Sequence, residues 1–228
     1  MHEPSPLLHA AEVIHWCALG VMAIVYTLRL RWLLSFKAGV DRSAPGAPER
    51  TSASAGAWYS LLNVAMPWSM ESTRRGFLFY LSFVLFHVGV VSGIGLAFLS
   101  TVATGFLQLP AVSWFVGGTL LIAFLVAVYR VLRRLLRPVM RLISTPDDYF
   151  SLGMLTIWFG LGAATQAHLV GLGGFENGLI LVAYLLLTSF FLLYVPFSKI
   201  SHYLYYPFTR FWIGRTLGHR GSYPIARG

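Results

Sequence analysis

Charged side chains are scarce in this sequence. Only 11% of its 228 residues are Asp, Glu, Lys or Arg, and 57% are apolar. Globular proteins carry roughly 25% charged residues, which keep their surfaces in contact with water. The composition therefore excludes an ordinary soluble domain and favours a membrane protein.

Cysteine occurs once, at Cys17. One cysteine excludes a disulfide within the chain, and it is too few for an iron–sulfur cluster held by several thiolates. Because Cys17 lies within an apolar run, we expect a buried structural thiol. The sequence also lacks a Gly-rich fingerprint for a flavin or nicotinamide cofactor. The chain therefore does not contain the chemistry of a complete oxidoreductase.

Long apolar runs dominate what remains. A stretch of about 20 apolar residues crosses a hydrocarbon core of roughly 30 Å, and lipid requires each such segment to be helical. We predict an all-α bundle that forms one domain over residues 1–228. Its five predicted spans are about 8–34, 76–99, 112–136, 149–171 and 178–204. The first run is too long for a signal peptide, and no basic segment precedes it.

The 17 Lys and Arg residues lie on one side of this five-span topology. The N-terminus and segments 100–112 and 171–178 contain none. By the positive-inside rule, the N-terminus is outside, while a loop (35–75) and a basic tail (205–228) are cytoplasmic. The net charge of +9 is thus a topology signal, supported by contacts with anionic lipid, and we expect no nucleic-acid partner.

Local signals predict where several segments begin and end. Pro138 should stop the third span. STPDDYFSL (144–152) is typical of a helix start, with a Ser or Thr cap, and with a Pro and two acidic residues in the first turn. The segment 39–56 is rich in Gly, Pro, Ala and Ser, which predicts a flexible loop. The aromatic segment 58–70 predicts a short amphipathic piece in the membrane interface.

Two histidines stand out by their position. His87 lies well inside the second span, where an ionisable group is costly and usually has a partner. It could hydrogen-bond between helices, or it could ligate heme iron. Gly89 and Gly93 could leave room for a flat macrocycle, or could simply let helices approach closely. His202 lies in the last turn of the fifth predicted span or just beyond the helix. Pro196 can kink that helix, so both imidazoles can lie in the cytoplasmic half.

The local sequences LFHVG around His87 and LLYVPFSKISH ending at His202 resemble those of the gamma subunit of respiratory nitrate reductases. Related membrane cytochrome b subunits serve heterodisulfide-reductase-like iron–sulfur proteins and sulfite-reductase-associated complexes. The resemblance implies five helices, b-type heme and electron exchange with a quinone. It also implies that His87 and His202 are the two ligands of the heme nearer the cytoplasm.

The sequence departs from this family at the outer heme. Ala97 and Tyr184 occupy the two positions where the family has histidine, and neither is an ordinary ligand of low-spin heme b. We therefore expect one heme b. A second heme between His15 and His168 is an alternative, as is a quinone site.

Several ionisable groups lie near the outer boundary of the predicted bundle. Glu12 and His15, three residues apart, share a helix face and could accept protons from a quinol. A third reading leaves His9, Glu12 and His168 solvated at the outer headgroups.

The prediction is a membrane cytochrome b subunit in a bacterial or archaeal cytoplasmic membrane. It would relay electrons between menaquinone or ubiquinone and a cytoplasmic iron–sulfur partner subunit, through iron held by His87 and His202. It would be an electron-transfer subunit, with the substrate reaction in another polypeptide. The aromatic and basic tail would dock that partner. The rival interpretation is a heme-free membrane anchor or small transporter subunit in which His87 packs or relays protons.

Overall fold

The computed structural model of the chain describes residues 5–37, 39, 41–44, 52–172 and 178–223. Val40 and residues 45–51 of the predicted flexible loop lie outside the described part, as do residues 173–177 between the fourth and fifth predicted spans and residues 224–228 of the predicted tail. The described residues form ten α-helices and no β-strand, which confirms the all-α prediction. The helices are α1 (Pro6–Ser35), α2 (Ala53–Leu62), α3 (Glu71–Arg75), α4 (Phe77–Val102), α5 (Thr104–Leu107), α6 (Pro110–Leu136), α7 (Pro138–Ile143), α8 (Pro146–Leu169), α9 (Leu179–Tyr194) and α10 (His202–His219).

Four helical segments among the described residues are long and apolar enough to cross a membrane. They are α1, α4, α6 and Leu179–Phe197, which is α9 with the 3₁₀ turn that follows it. The protein is therefore a multi-pass membrane protein. α8 has 24 residues, but its second half contains the polar Thr165, Gln166 and His168 and it is not one of the four. A fifth span and the orientation of the termini remain predictions.

The start of α8 confirms the local prediction at STPDD. Thr145 caps the helix, and the Asp148 carboxylate completes a capping box by accepting from the Thr145 backbone N–H at 2.8 Å. Pro146 occupies the first turn, where its missing N–H costs nothing. The end of α6 at Leu136, two residues before Pro138, is also as predicted.

The described chain divides into two compact units. The first contains the described residues up to Val25 together with Leu81–Pro196, and therefore most of α4, α6, α8 and α9. α6 packs along α8, which packs on α9. The core is mainly apolar, and its fully buried side chains include those of Tyr184, Phe159, Leu96, Leu107, Leu120 and Leu185.

Small residues bring the helices of the first unit together. A Cβ added at Gly89 of α4 would collide with the Cβ of Ala123 in α6, and one at Gly93 would collide with the Trp158 ring of α8. At these positions the glycines therefore serve helix packing, as small residues commonly do in membranes, and the space is filled by protein.

The two positions where the resembled family has histidine are also packed within the first unit. Tyr184 of α9 is fully buried and donates from its hydroxyl to the Gly93 carbonyl at 2.6 Å. Ala97 is 1% exposed. The tyrosine therefore ties α9 to α4 by a hydrogen bond, and the number of hemes remains a prediction.

The second unit contains Tyr26–Tyr80 and the described residues from Phe197 onward, and its main contact joins α2 to α10. Gly56 of α2 faces Gly214 and Gly218 of α10, and the approach is so close that a Cβ on Gly56 would lie 2.6 Å from the Gly218 Cα. The Ser52 N–H donates to the Gly218 carbonyl at 3.2 Å. Residues of the predicted basic tail up to His219 therefore form a helix, and that helix packs on α2.

Polar contacts reinforce this pairing of α10 with the loop and α2. Arg210 donates from Nε to the Ser60 carbonyl at 3.2 Å. Arg220 forms a salt bridge with Asp41, Nε to Oδ2 at 2.6 Å, and this guanidinium holds the pKa of Asp41 well below its ordinary value. Asp41 in turn raises the pKa of Arg220. Two of the basic residues expected to dock a partner are thus occupied within the chain.

Cys17 does not match its prediction. The residue is exposed, because the buried face of α1 is formed by Ala11, His15 and Ala18. A helix turns 100° per residue, so Cys17 lies about 200° around α1 from His15. The expectation of a buried thiol was wrong, since hydropathy does not reveal which face of an all-round apolar helix is covered.

Candidate functional site

His87 lies in the middle of α4 and belongs to the first unit. Its Nδ1 is 2.8 Å from the carbonyl oxygen of Phe83, one turn earlier, and its ring lies 4.2 Å from the Phe83 ring. A carbonyl can only accept, so this hydrogen bond requires the proton on Nδ1 and leaves the imidazole lone pair on Nε2. Histidines that ligate metals are typically oriented by such a bond from the other ring nitrogen.

His202 is the first residue of α10 and belongs to the second unit. Its Nδ1 is 3.1 Å from the carbonyl oxygen of Lys199, which again places the lone pair on Nε2. The side chain is exposed. Both predicted iron ligands therefore carry the same backbone-anchored tautomer.

The segment between α9 and α10 positions His202. Proline supplies no N–H, and at Pro196 the regular helix gives way to two 3₁₀ turns, Val195–Phe197 and Lys199–Ser201. Ser198 caps the second turn by accepting from the Ile200 N–H at 3.2 Å. The helix is broken here where a kink was predicted, and the span ends at Phe197, five residues before His202.

His87 and His202 are described in separate units. Their pairing on one heme is therefore a prediction that the geometry within each unit leaves untested. Among the described residues, no three His, Cys, Asp or Glu side chains cluster as a metal site. Two imidazoles are the whole protein contribution to a bis-histidine heme, so that observation does not bear on it.

His15 lies on the covered face of α1 and is only 3% exposed. Its Nδ1 is buried, with no hydrogen-bond partner among the described residues. No described hydrogen bond joins it to Glu12 or to His168, both of which are half-buried, and His9 is exposed. His15 thus differs from the other outer candidates. Its Nδ1 is buried without a partner among the described residues, which is costly, whereas His9, Glu12 and His168 are at least partly exposed.

The first unit also contains an open cleft of about 560 Å³ that the sequence analysis missed. It lies between the first turns of α6 and the last turns of α8, with Trp114, Gly117 and Gly118 on one side and Ala163 and Gln166 on the other. Its walls are mainly apolar. Its volume is within the range of small-molecule sites, but it is open to the surface of the unit, so it would enclose a ligand only in part.

Gln166 lies in the wall of this cleft. The side chain is 1% exposed, and its Nε2 donates to the Leu107 carbonyl at 2.9 Å. Its Oε1 is buried and has no donor among the described residues. Gln166 sits two residues before His168 in the predicted fourth span, so a polar amide inside an apolar run was the available signal.

Comparisons with known proteins identify one relative. A protein of Nitratidesulfovibrio vulgaris strain Hildenborough, named only "Protein", is 28% identical over 229 residues, which cover 98% of this chain and 93% of the relative. No family model matches the chain. No solved structure matches it either.

Proposed function

We propose that this protein is the membrane cytochrome b subunit of a multisubunit oxidoreductase in a bacterial or archaeal cytoplasmic membrane. It relays electrons between the quinone pool and a cytoplasmic iron–sulfur partner. His87 and His202 are the axial ligands of one heme b. The N-terminus is outside, and α8 is the fifth span.

The observation that carries the proposal is that the two imidazoles have the same tautomer, with the proton on Nδ1. Each Nδ1 is anchored to a backbone carbonyl of the preceding turn, at 2.8 Å for His87 and 3.1 Å for His202. The neutral tautomer that results directs the lone pair from Nε2, which is the donor that ferric or ferrous heme requires. When bound, heme supplies one-electron transfer, and the protein's part is to hold and orient it.

The cleft beside Gln166 is the quinone site in this proposal. Its apolar walls can accommodate the ring and the isoprenoid tail of a quinone. The Gln166 Oε1 would accept a hydrogen bond from a hydroquinone hydroxyl once this buried side chain turns toward the cleft. Glu12, His15 and His168 remain alternative proton acceptors, of which His15 is supported by its burial without a described partner for Nδ1. A second heme between His15 and His168 is the competing assignment for these histidines.

The iron–sulfur partner would contact the exposed aromatic residues of α10. Phe208, Phe211 and Trp212 are each more than a third exposed. Such side chains are enriched in protein interfaces. Arg210 and Arg220 contribute less than the sequence suggested, because their guanidinium groups already contact Ser60 and Asp41.

The visible spectrum of the purified full chain tests the proposal. We expect a reduced b-type band and one heme per chain, with the band lost in His87→Ala and in His202→Ala. The exposed His9 provides the matched control, and His9→Ala should keep the wild-type spectrum. A folded but colourless wild type would refute the proposal and leave the heme-free anchor or transporter subunit.

The heme-to-protein ratio addresses the outer histidines. A ratio of one that is unchanged in His15→Ala and His168→Ala excludes a second heme between them. A ratio of two that falls to one in either variant would establish it. In the first case, a loss of quinol oxidation in Gln166→Leu with the heme spectrum intact would support the cleft as the quinone site.

A further inference from the structure

Arg130 points into the first unit near the basic end of α6. It lies twenty residues after Pro110, about 30 Å along the helix, and its guanidinium stacks over the ring of Phe86 in α4 at 4.6 Å. Phe86 is itself 7% exposed and packs edge-on against Phe159. Arg130 thus packs against a buried aromatic cluster. An arginine on the lipid-facing side of the helix would instead extend away from the unit.

This guanidinium has no hydrogen-bond acceptor among the described residues. Its Nε is buried without a hydrogen-bond partner, and no hydrogen bond or ion pair joins Arg130 to any described residue. The Phe86 ring attracts the positive charge but offers no lone pair to the N–H groups. Guanidinium has five N–H donors. Arg130 is half-buried and only its Nε is buried, so the donors on the two terminal nitrogens are open to an acceptor from outside the chain.

The charges around Arg130 make this situation less favourable. Arg133 and Arg134 follow at i+3 and i+4 on the same helix, a spacing at which like charges repel. Arg134 donates to the Ser144 hydroxyl at 2.6 Å and so has an acceptor of its own. An anion would relieve the repulsion and accept the unused donors together.

The carboxylates of this unit are engaged elsewhere or lie at the far end. Asp147 accepts from the Tyr194 hydroxyl at 2.6 Å, and Asp148 caps the start of α8. Glu12 is in the first half of α1. The first unit, in its described part, therefore contains no carboxylate that neutralises Arg130.

We propose that Arg130 is an oxyanion-binding residue whose ligand comes from outside the polypeptide. Guanidinium binds phosphate or carboxylate oxygens through two parallel N–H bonds. Two molecules in this setting supply such oxygens: a phospholipid phosphate from the adjoining leaflet, and a propionate of the proposed heme. The phospholipid source is independent of the proposed function, whereas the propionate source rests on it.

Native mass spectrometry of the full chain in mild detergent tests the phospholipid source. The probes are dioleoylphosphatidylglycerol and dioleoylglycerol, which share acyl chains and differ in the phosphate. We expect Arg130→Gln to lower retention of the phosphatidylglycerol about tenfold or more, the effect of losing one charge-assisted pair, and to leave dioleoylglycerol unchanged. Arg137→Gln is the matched control, because Arg137 is an exposed arginine at the end of the same helix.

The heme midpoint potential tests the propionate source. If that source is correct, Arg130→Gln lowers the midpoint potential, because a cation beside a propionate favours the reduced heme. The variant also retains heme more weakly. Its retention of phosphatidylglycerol stays at the wild-type level. Should Arg130→Gln fail to fold, Arg130→Lys replaces it; the charge is kept and the bidentate fork is lost, so the same changes should occur at smaller amplitude.

The inference is overturned if the folded Arg130 variant matches wild type and Arg137→Gln in phospholipid retention, and in potential where heme is present. A heme-free wild type would end the proposed function and the propionate source, but the phospholipid result would still decide the role of Arg130.

Discussion

Replacing Gly214 by alanine tests the packing of α10 on α2. An added Cβ at this position would collide with the Gly56 carbonyl oxygen and the Ser60 Cβ and would lie 2.9 Å from the Ala57 Cα. Two of these three atoms belong to the α2 backbone, so a side-chain rotation cannot relieve the overlap. The helices must separate or tilt.

The magnitude follows from two opposing effects. Overpacking a close contact costs about 1–3 kcal/mol, and backbone obstacles place this case near the upper limit. Alanine also raises helix propensity by about 1 kcal/mol relative to glycine. The net loss is therefore about 2 kcal/mol in the free energy that holds α10 on α2, roughly a 30-fold increase in the population of the separated state.

Amide hydrogen exchange of α10 in the detergent-solubilised chain measures this local opening. We expect exchange in Gly214→Ala to be roughly 30-fold faster across α10, while amides of α6 and α8 keep their wild-type rates. Gly153→Ala in α8 is the matched control, because a Cβ there meets nothing within 4 Å. Equal exchange of α10 in wild type and Gly214→Ala would refute the close helix approach.

Two further predictions concern single polar contacts, one in each unit. Tyr184→Phe removes the buried hydroxyl that donates to the Gly93 carbonyl. It should lower the free energy of unfolding in sodium dodecyl sulfate by about 1 kcal/mol. Tyr129→Phe changes a tyrosine that is 56% exposed and should have no effect. Asp41→Asn should speed amide exchange in residues 41–44 at neutral pH. Because Arg220 lowers the pKa of Asp41 in the folded chain, that contact stabilises the fold above the unfolded pKa of about 3.9 and is lost as pH falls through the lower folded value, so the difference from wild type should shrink below about pH 4. An Asp41→Asn effect that persisted unchanged at low pH would contradict this assignment.

Part of the candidate site was accessible from the sequence because its geometry is local. The contacts of His87 with Phe83 and of His202 with Lys199 span four and three residues, so helical or turn backbone alone brings them together. The neutral tautomer of both histidines therefore follows from short-range structure. Neither contact determines which helix packs against the histidine.

Other features of the site depend on neighbours distant in sequence. The burial of His15, and of the Gln166 oxygen that has no donor among the described residues, arises from how α1 and α8 are covered by other helices. The position of Arg130 over Phe86 joins residues 44 apart. The sequence analysis treated Arg130 as one of several topology-determining arginines, since hydropathy and charge counts contain no information on the direction of a side chain.

The sequence by itself determined the membrane character, the all-helical class, the start of α8 and the end of α6. These depend on hydropathy along the chain and on caps and prolines, which act over a few residues. Only the tertiary structure decided that α10 packs on α2 through glycines, that Cys17 is exposed and that Gly89 and Gly93 meet neighbouring helices. The reason is physical: when a helix is apolar on all sides, each of its faces is equally compatible with lipid. Close packing between helices then selects which face is covered.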